Sequence, residues 1–145
     1  MTDAKVLLVD DETSFLNIMQ KRLGAKNLEV LTADSGEGGL EVLEQNEDVD
    51  VVILDVKMPG MDGMQTLNEM RRRFPITEVV MLTGHATVET AIEGMKQGAF
   101  DYLMKPCDID TLLKVVGEAK QKKIRHEEKI LQAQIKEITT RKYSG

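Results

Sequence analysis

Four short runs of this sequence end on side chains that could do phosphoryl chemistry. Asp10 and Asp11 follow Lys5–Val9, Asp55 follows Val51–Leu54, Thr83 follows Glu78–Leu82, and Lys105 follows Ala99–Met104. Burying an ionised Asp at the end of an aliphatic run is costly unless it is paired or serves a site. Two unit charges about 5 Å apart, at an effective dielectric near 20, repel by roughly 3 kcal/mol. Three carboxylates brought together therefore raise a pKa or recruit a cation. Hard oxygen ligands around a partly open site suit Mg2+ (or Mn2+), which keeps several waters and accepts a phosphoryl oxygen. A carboxylate can attack phosphorus and form an aspartyl phosphate. Lys105 could then pair with one phosphoryl oxygen and the Thr83 hydroxyl with another, so that catalysis is positioning plus electrostatics.

These residues meet only if the runs are neighbouring strands. Between them the pattern changes to helical spacing. Phe15, Leu16, Ile18, Met19 and Leu23 predict a helix stopped by Gly24. Ser35-Gly36 opens a second helix reaching about Gln45, after a second strand over residues 28–32. Asp62 reads as an N-cap with Gln65 three residues on, and Pro75 ends that third helix. Thr87 caps a fourth helix that stops at Gly98. Asp108 caps a last one with no clear stop until the 140s. Strand and helix thus alternate five times. Apolar runs without polar alternation suit strands covered on both faces. The expectation is α/β: a doubly wound, five-stranded parallel sheet with an extended C-terminal helix. In such sheets ligands bind beyond the carboxyl ends of the strands, which is where the Asp, Thr and Lys residues fall. The first strand–helix turn is Asp-Asp-Glu rather than a glycine-rich phosphate loop, which counts against dinucleotide binding.

Composition narrows the function classes. At 145 residues the chain fits one domain with an appendage. No apolar run approaches the roughly 18 residues of a membrane span, and the first residues have no secretory pattern. One cysteine, Cys107, excludes an internal disulfide framework, so a cytoplasmic location is expected. Residues 1–117 carry 11 Lys and Arg against 21 Asp and Glu, and residues 118–145 carry 8 against 4. An acidic body argues against direct nucleic-acid binding.

In this order and at these spacings, the motifs Asp10-Asp11, Asp55-Val56-Lys57-Met58-Pro59-Gly60-Met61-Asp62-Gly63, Thr83-Gly84 and Lys105-Pro106 resemble the receiver domain of bacterial two-component response regulators. The resemblance covers about residues 3–118. It implies the flavodoxin-like strand order 2-1-3-4-5, and Asp55 as phosphoacceptor, fed by a phosphohistidine on a sensor histidine kinase. It implies Mg2+ ligation by Asp11, Asp55 and the Lys57 carbonyl, with Asp10 acting through water. The Met58-Pro59-Gly60 turn would face that carbonyl toward the metal. The Lys105–Pro106 bond is typically cis in such domains. Thr83 and Tyr102 match the switch pair: on phosphorylation Thr83 moves toward the new oxygens, and the Tyr102 ring takes the space it leaves. The side chains of Lys57 and His85 flank the path of the hydrolytic water and are expected to tune the lifetime of the phosphorylated state. The face made by the fourth helix, fifth strand and fifth helix would then favour a partner or a homodimer.

Residues 1–118 are thus expected to form the receiver and residues 119–145 a helical extension or linker. In the extension Ile124, Leu131 and Ile138 repeat every seven and Ile135 fills one intermediate slot, a thin coiled-coil seam. A dimerising linker, a solvated helix packed on its own body, and disorder all remain open. The stretch from Met81 to Ala91 looks most like receivers of regulators that activate sigma-54-dependent transcription, so regulation of transcription through an output domain outside this chain is expected. Two rivals stand beside the phosphoacceptor switch. A phosphohydrolase with an Asp nucleophile, of the haloacid-dehalogenase type, needs a second Asp where Lys57 stands. A phosphorylation-independent interaction module would not need the full set of Asp10, Asp11, Asp55, Thr83 and Lys105. His126 reads as solvated, Cys107 as a partly buried thiol, and the nine methionines as core filling.

Overall fold

The computed structural model describes residues 3–58 and 60–143. Five strands and five helices alternate along the chain: β1 (Lys5–Val9), α1 (Thr13–Gly24), β2 (Glu29–Ala33), α2 (Gly36–Gln45), β3 (Val51–Leu54), α3 (Gly63–Arg73), β4 (Glu78–Thr83), α4 (Val88–Lys96), β5 (Asp101–Met104) and α5 (Ile109–Tyr143). The strands are all parallel, in the order β2-β1-β3-β4-β5. This is the doubly wound, flavodoxin-like arrangement expected from the sequence, with its long C-terminal helix.

Successive side chains of a strand point to opposite faces, and each face has its own core. Val6, Leu8, Ile53, Val80 and Leu82 pack with Leu16, Met19 and Leu23 of α1 and with Leu112, Val115, Val116 and Ala119 of α5. Leu7, Val9, Val52, Leu54, Val79 and Met81 pack with Leu40 and Leu43 of α2 and with Leu67 and Met70 of α3. The inner strands β1, β3 and β4 are buried nearly throughout, whereas the edge strands β2 and β5 are half-buried.

Local chemistry sets the helix starts. Ser35 caps α2 through Gly38 N–H, and Asp62 with Gln65 forms a complete capping box on α3. Thr87 and Thr90 form another on α4. The stop of α1 differs from expectation: Gly24 stays inside the helix, and Asn27 takes the left-handed conformation, at φ 68°. Asn tolerates that region, so the turn did not need the glycine. The methionines are not all core filling either. Met95 and Met104 are exposed on α4 and β5, while Met19, Met58, Met70 and Met81 are buried.

α5 runs through residues 118 and 119 without a break. It packs on the sheet as far as Ala119, and Lys123 is also buried; from Arg125 to Arg141 every side chain is exposed, His126 among them. That part of the extension is helical and does not pack on its own body. No helix among the described residues is long and apolar enough to cross a membrane.

Candidate functional site

The parallel register brings the carboxyl ends of the strands together. Val9 pairs with Leu54 and with Ala33. Asp55 N–H then donates to the Val9 carbonyl at 3.0 Å, and Asp10 N–H to the Ala33 carbonyl at 3.1 Å. Asp10 and Asp55 therefore leave adjacent strands side by side, and both are almost fully buried. Asp11, one residue on, is exposed. Each of the three offers a carboxylate oxygen, and these atoms lie within 4.8 Å of one another.

Lys105 reaches the same point from the end of β5. Its N–H donates to the Thr83 carbonyl at 2.9 Å, and the Lys105–Pro106 bond is cis. Its Nζ stands 2.6 Å from Asp10 Oδ2 and 3.7 Å from both Asp55 Oδ2 and Glu12 Oε1. It also lies over the Phe15 ring, 4.0 Å from the centroid. Burial opposes the charge on Lys105, but the Asp10 hydrogen bond and the Asp10, Asp55 and Glu12 charges outweigh it and hold its pKa above the ordinary lysine value. Burial pushes Asp10 above the usual carboxylate range, although the Lys105 hydrogen bond and charge and the Glu12 N–H bond all work against the rise.

One ammonium does not neutralise this many carboxylates. Asp55 Oδ1 is buried and has no hydrogen-bond partner among the described residues. A buried anionic oxygen left in that state is expensive. It fits a site completed by a cation or an electrophile, and the all-oxygen donor set with an exposed Asp11 fits a hard divalent ion. The carboxylates open onto a cleft of about 520 Å³ lined by Asp11, Glu12, Asp55, Lys57, Met58 and His85. Lys57 and His85 are exposed at its mouth. The turn expected to aim the Lys57 carbonyl includes Pro59, which lies outside the described residues.

Thr83 closes β4 and is fully buried; its Oγ1 accepts from His85 N–H at 3.0 Å. Tyr102, paired in register with Met81, is half-buried against the second core. Its hydroxyl meets Thr90 Oγ1 of α4 at 2.7 Å. Asp10, Asp11, Asp55 and Lys105 thus converge on one point, and Asp11 and Asp55 open from it onto the cleft. Thr83 and Tyr102 stand on the two strands beside it.

Three residues of the neighbourhood escaped the sequence reading as site residues. Glu12 and Phe15 reach Lys105, and Thr90 reaches Tyr102. Phe15 was legible only as an apolar residue at helical spacing, and nothing in its type signalled a cation partner. Thr90 carried one usable signal: it lies three residues after Thr87, at the reciprocal position of a capping box.

Comparison with known proteins agrees with this geometry. The family model of the response regulator receiver domain matches residues 6–117. The transcriptional regulatory protein GlrR of Escherichia coli (strain K12) is 40% identical over 116 residues, which are 80% of this chain and 26% of that protein. The DNA-binding transcriptional regulator NtrC of the same strain is 37% identical over 114 residues, 79% of this chain and 24% of that protein. The chain spans about a quarter of the length of these curated relatives. A receiver domain protein from Clostridium thermocellum, known from its crystal structure, superimposes with a TM-score of 0.78 at 39% identity, covering 88% of this chain and 98% of that one. This chain belongs to the response regulator receiver domain family.

Proposed function

We propose that this chain is a phosphoacceptor switch of two-component signalling, taking a phosphoryl group from a phosphohistidine of a sensor histidine kinase onto Asp55. What carries this reading is the buried, unpartnered Asp55 Oδ1 in a site shared with Asp10, Asp11 and the Lys105 ammonium. A carboxylate oxygen of Asp55 attacks phosphorus, a P–O bond forms and the P–N bond breaks. The electron pair returns to the departing imidazole. Lys105 exchanges its Asp10 contact for a phosphoryl oxygen, and the Thr83 hydroxyl turns to another. Mg2+ (or Mn2+) held by Asp11, Asp55 and the Lys57 carbonyl, with Asp10 through water, would withdraw charge from the phosphoryl oxygens. The exposed side chains of Lys57 and His85 stand where they can admit or obstruct water, and so set how long the acyl phosphate lasts. The chain promotes only its own phosphorylation and slow dephosphorylation and is not a turnover enzyme.

Movement of Thr83 frees space for the Tyr102 ring. Tyr102 touches α4, so the event reaches the outer face of α4, β5 and α5, where Val88, Ile92, Met95 and Met104 are exposed. This is a shift between two states of one fold. Residues 1–118 form the switch, and residues 119–145 the linker that carries it onward. Leu131, Ile135 and Ile138 are exposed on that helix. These apolar side chains stand at near-heptad spacing with no partner on the chain's own body, which supports a second copy as their partner. The relatives are transcriptional regulators, which supports a cytoplasmic role in transcription, in the sigma-54-dependent class, through an output domain rather than through DNA contacts of this chain.

Incubation with Mg2+ and a small phosphodonor, read by intact mass, tests the switch. One phosphoryl adduct, lost in Asp55→Asn, is expected. Multiple turnover of the donor would instead indicate a phosphohydrolase, and no adduct an inert interaction module. Sedimentation of the full chain beside Leu131→Glu and Ile138→Glu tests the linker; unchanged mass in all three would sink the helix dimer.

A further inference from the structure

The Lys105 ammonium has acids on one side and an aromatic face on another. Asp10 Oδ2, Asp55 Oδ2 and Glu12 Oε1 lie 2.6, 3.7 and 3.7 Å from Nζ. The Phe15 centroid lies 4.0 Å away. The Lys105 side chain is only 14% exposed, so the ring occupies a direction that water would otherwise fill. Phe15 sits in the first turn of α1 and packs against the first core, so its position is set by the helix.

We propose that Phe15 is a positioning residue for phosphoryl transfer: its ring face holds the Lys105 ammonium beside Asp55. The inference rests on the phosphoacceptor reading given above. In that reaction Lys105 must leave Asp10 for a phosphoryl oxygen. A hydrogen bond to Asp10 is directional and has to break. The attraction of a cation to a ring face is broad, and it persists while the ammonium slides across the face. The ring therefore bridges the exchange. Without it the ammonium swings toward Glu12, whose carboxylate is largely solvated, and each attempt at transfer begins with Lys105 out of place. An ordinary apolar contact would fill the same volume but would not retain the cation.

The test replaces Phe15 in the full chain with phenylalanines carrying one, two and three ring fluorines, which keep the shape and drain the negative face. Phe15→Leu and Phe15→Tyr accompany the series. The rate of phosphorylation by a small donor in Mg2+ is read beside the proton shifts of the Lys105 ε-methylene. The expected result is a stepwise fall with fluorination and a loss of about 2- to 30-fold in Phe15→Leu, the span of cation–π energies taken as a rate ratio. Phe15→Tyr stays within about twofold of the unmodified chain. The ε-methylene lies upfield by ring current in the unmodified chain and in Phe15→Tyr, and moves downfield in Phe15→Leu. Equal rates across the fluorine series would overturn the proposal, as would an ε-methylene with no upfield shift. Failure of the unmodified chain to accept phosphate would instead overturn the phosphoacceptor reading, and the resonance shifts would still judge the Phe15–Lys105 contact.

Discussion

The hydroxyls of Tyr102 and Thr90 lie 2.7 Å apart, and Thr90 is at the same time half of the α4 capping box. Thr90 N–H donates to Thr87 Oγ1 at 3.1 Å, and Thr87 N–H donates to Thr90 Oγ1 at 3.0 Å. One hydroxyl therefore fixes both Tyr102 and the start of α4. α4 has little else to hold it: Gly94 is its only buried residue, and the Cβ position there lies 3.4 Å from the Tyr102 ring. An element with so little buried surface sits at the low end of local stability.

Thr90→Val should therefore loosen α4 and release Tyr102 together. The Thr87 Oγ1 cap to Thr90 N–H survives this change, but the acceptor of Thr87 N–H and the Tyr102 partner are lost. At about 1 kcal/mol for a hydrogen bond, amide exchange at residues 90 and 91, whose N–H groups bond to Thr87, should run roughly fivefold faster, with little change in β1 or β3. Thr90→Ser keeps the hydroxyl and should restore protection. Slow exchange in Thr90→Val would show that α4 is held by something other than this hydroxyl.

Two glycines predict opposite outcomes for the same substitution. A Cβ on Gly63 would collide with the Asp55 carbonyl oxygen and with the backbone of Val56. None of these atoms can rotate away. Gly63→Ala should cost about 1–3 kcal/mol and displace the loop after Asp55, which on the proposed reading slows adduct formation there. At Gly24 a Cβ meets nothing within 4 Å, and the residue is helical. Gly24→Ala should stabilise the chain by about 0.4–1 kcal/mol and leave phosphorylation unchanged. Urea melts of both variants with adduct rates decide; a stable, fully active Gly63→Ala would remove that glycine from any role in the site.

These contrasts also mark how far the sequence could be read. The strand ends were legible because each apolar run stops at a polar residue and the parallel sheet has one rim for all of them. Asp10, Asp11, Asp55 and Lys105 could therefore be brought together from the sequence alone. The α4 cap was legible from Thr87, and the α3 box from Asp62 and Gln65. The turn after α1 was not, because Gly24 and Asn27 both suit a left-handed residue and only packing chooses. Phe15 and Thr90 were not, because their partners Lys105 and Tyr102 come from distant strands. An apolar residue at helical spacing looks the same whether it faces a leucine or an ammonium.

Cys107 lies beside the cis bond, half-buried against the first core. Burial pushes its thiol pKa up, and the neighbouring Asp108 charge adds to the rise. A raised pKa leaves less thiolate at neutral pH, and the thiolate is the nucleophile. Alkylation by iodoacetamide at pH 7.5 should thus run several-fold slower than for a free cysteine of pKa about 8.5. The rate should still be climbing above pH 9. A plateau below pH 8 would mean that a cation, not burial, governs this thiol.

At the opposite rim of the sheet, α5 is tied down by ion pairs before it becomes fully exposed. Buried Lys123 donates to Asp50 Oδ1 at 2.9 Å, and Lys5 N–H donates to Asp50 Oδ2 at 2.9 Å. Lys120 Nζ lies 3.8 Å from the same carboxylate, and Lys122 lies 3.5 Å from the fully buried Glu78. Asp50 precedes β3 and Glu78 opens β4, the strands that end in Asp55 and Thr83. These pairs therefore fix the helix exit to the site's own strands. Removing one partner leaves a desolvated charge behind, so Lys123→Met should destabilise the chain by about 1–3 kcal/mol. Asp50→Asn keeps an acceptor for Lys5 N–H and should cost less. The double variant should recover part of the loss, because neither charge is then stranded. A double-mutant cycle in urea measures this coupling. Strictly additive losses would mean that the two side chains are held independently and that the extension is oriented by α5 packing alone.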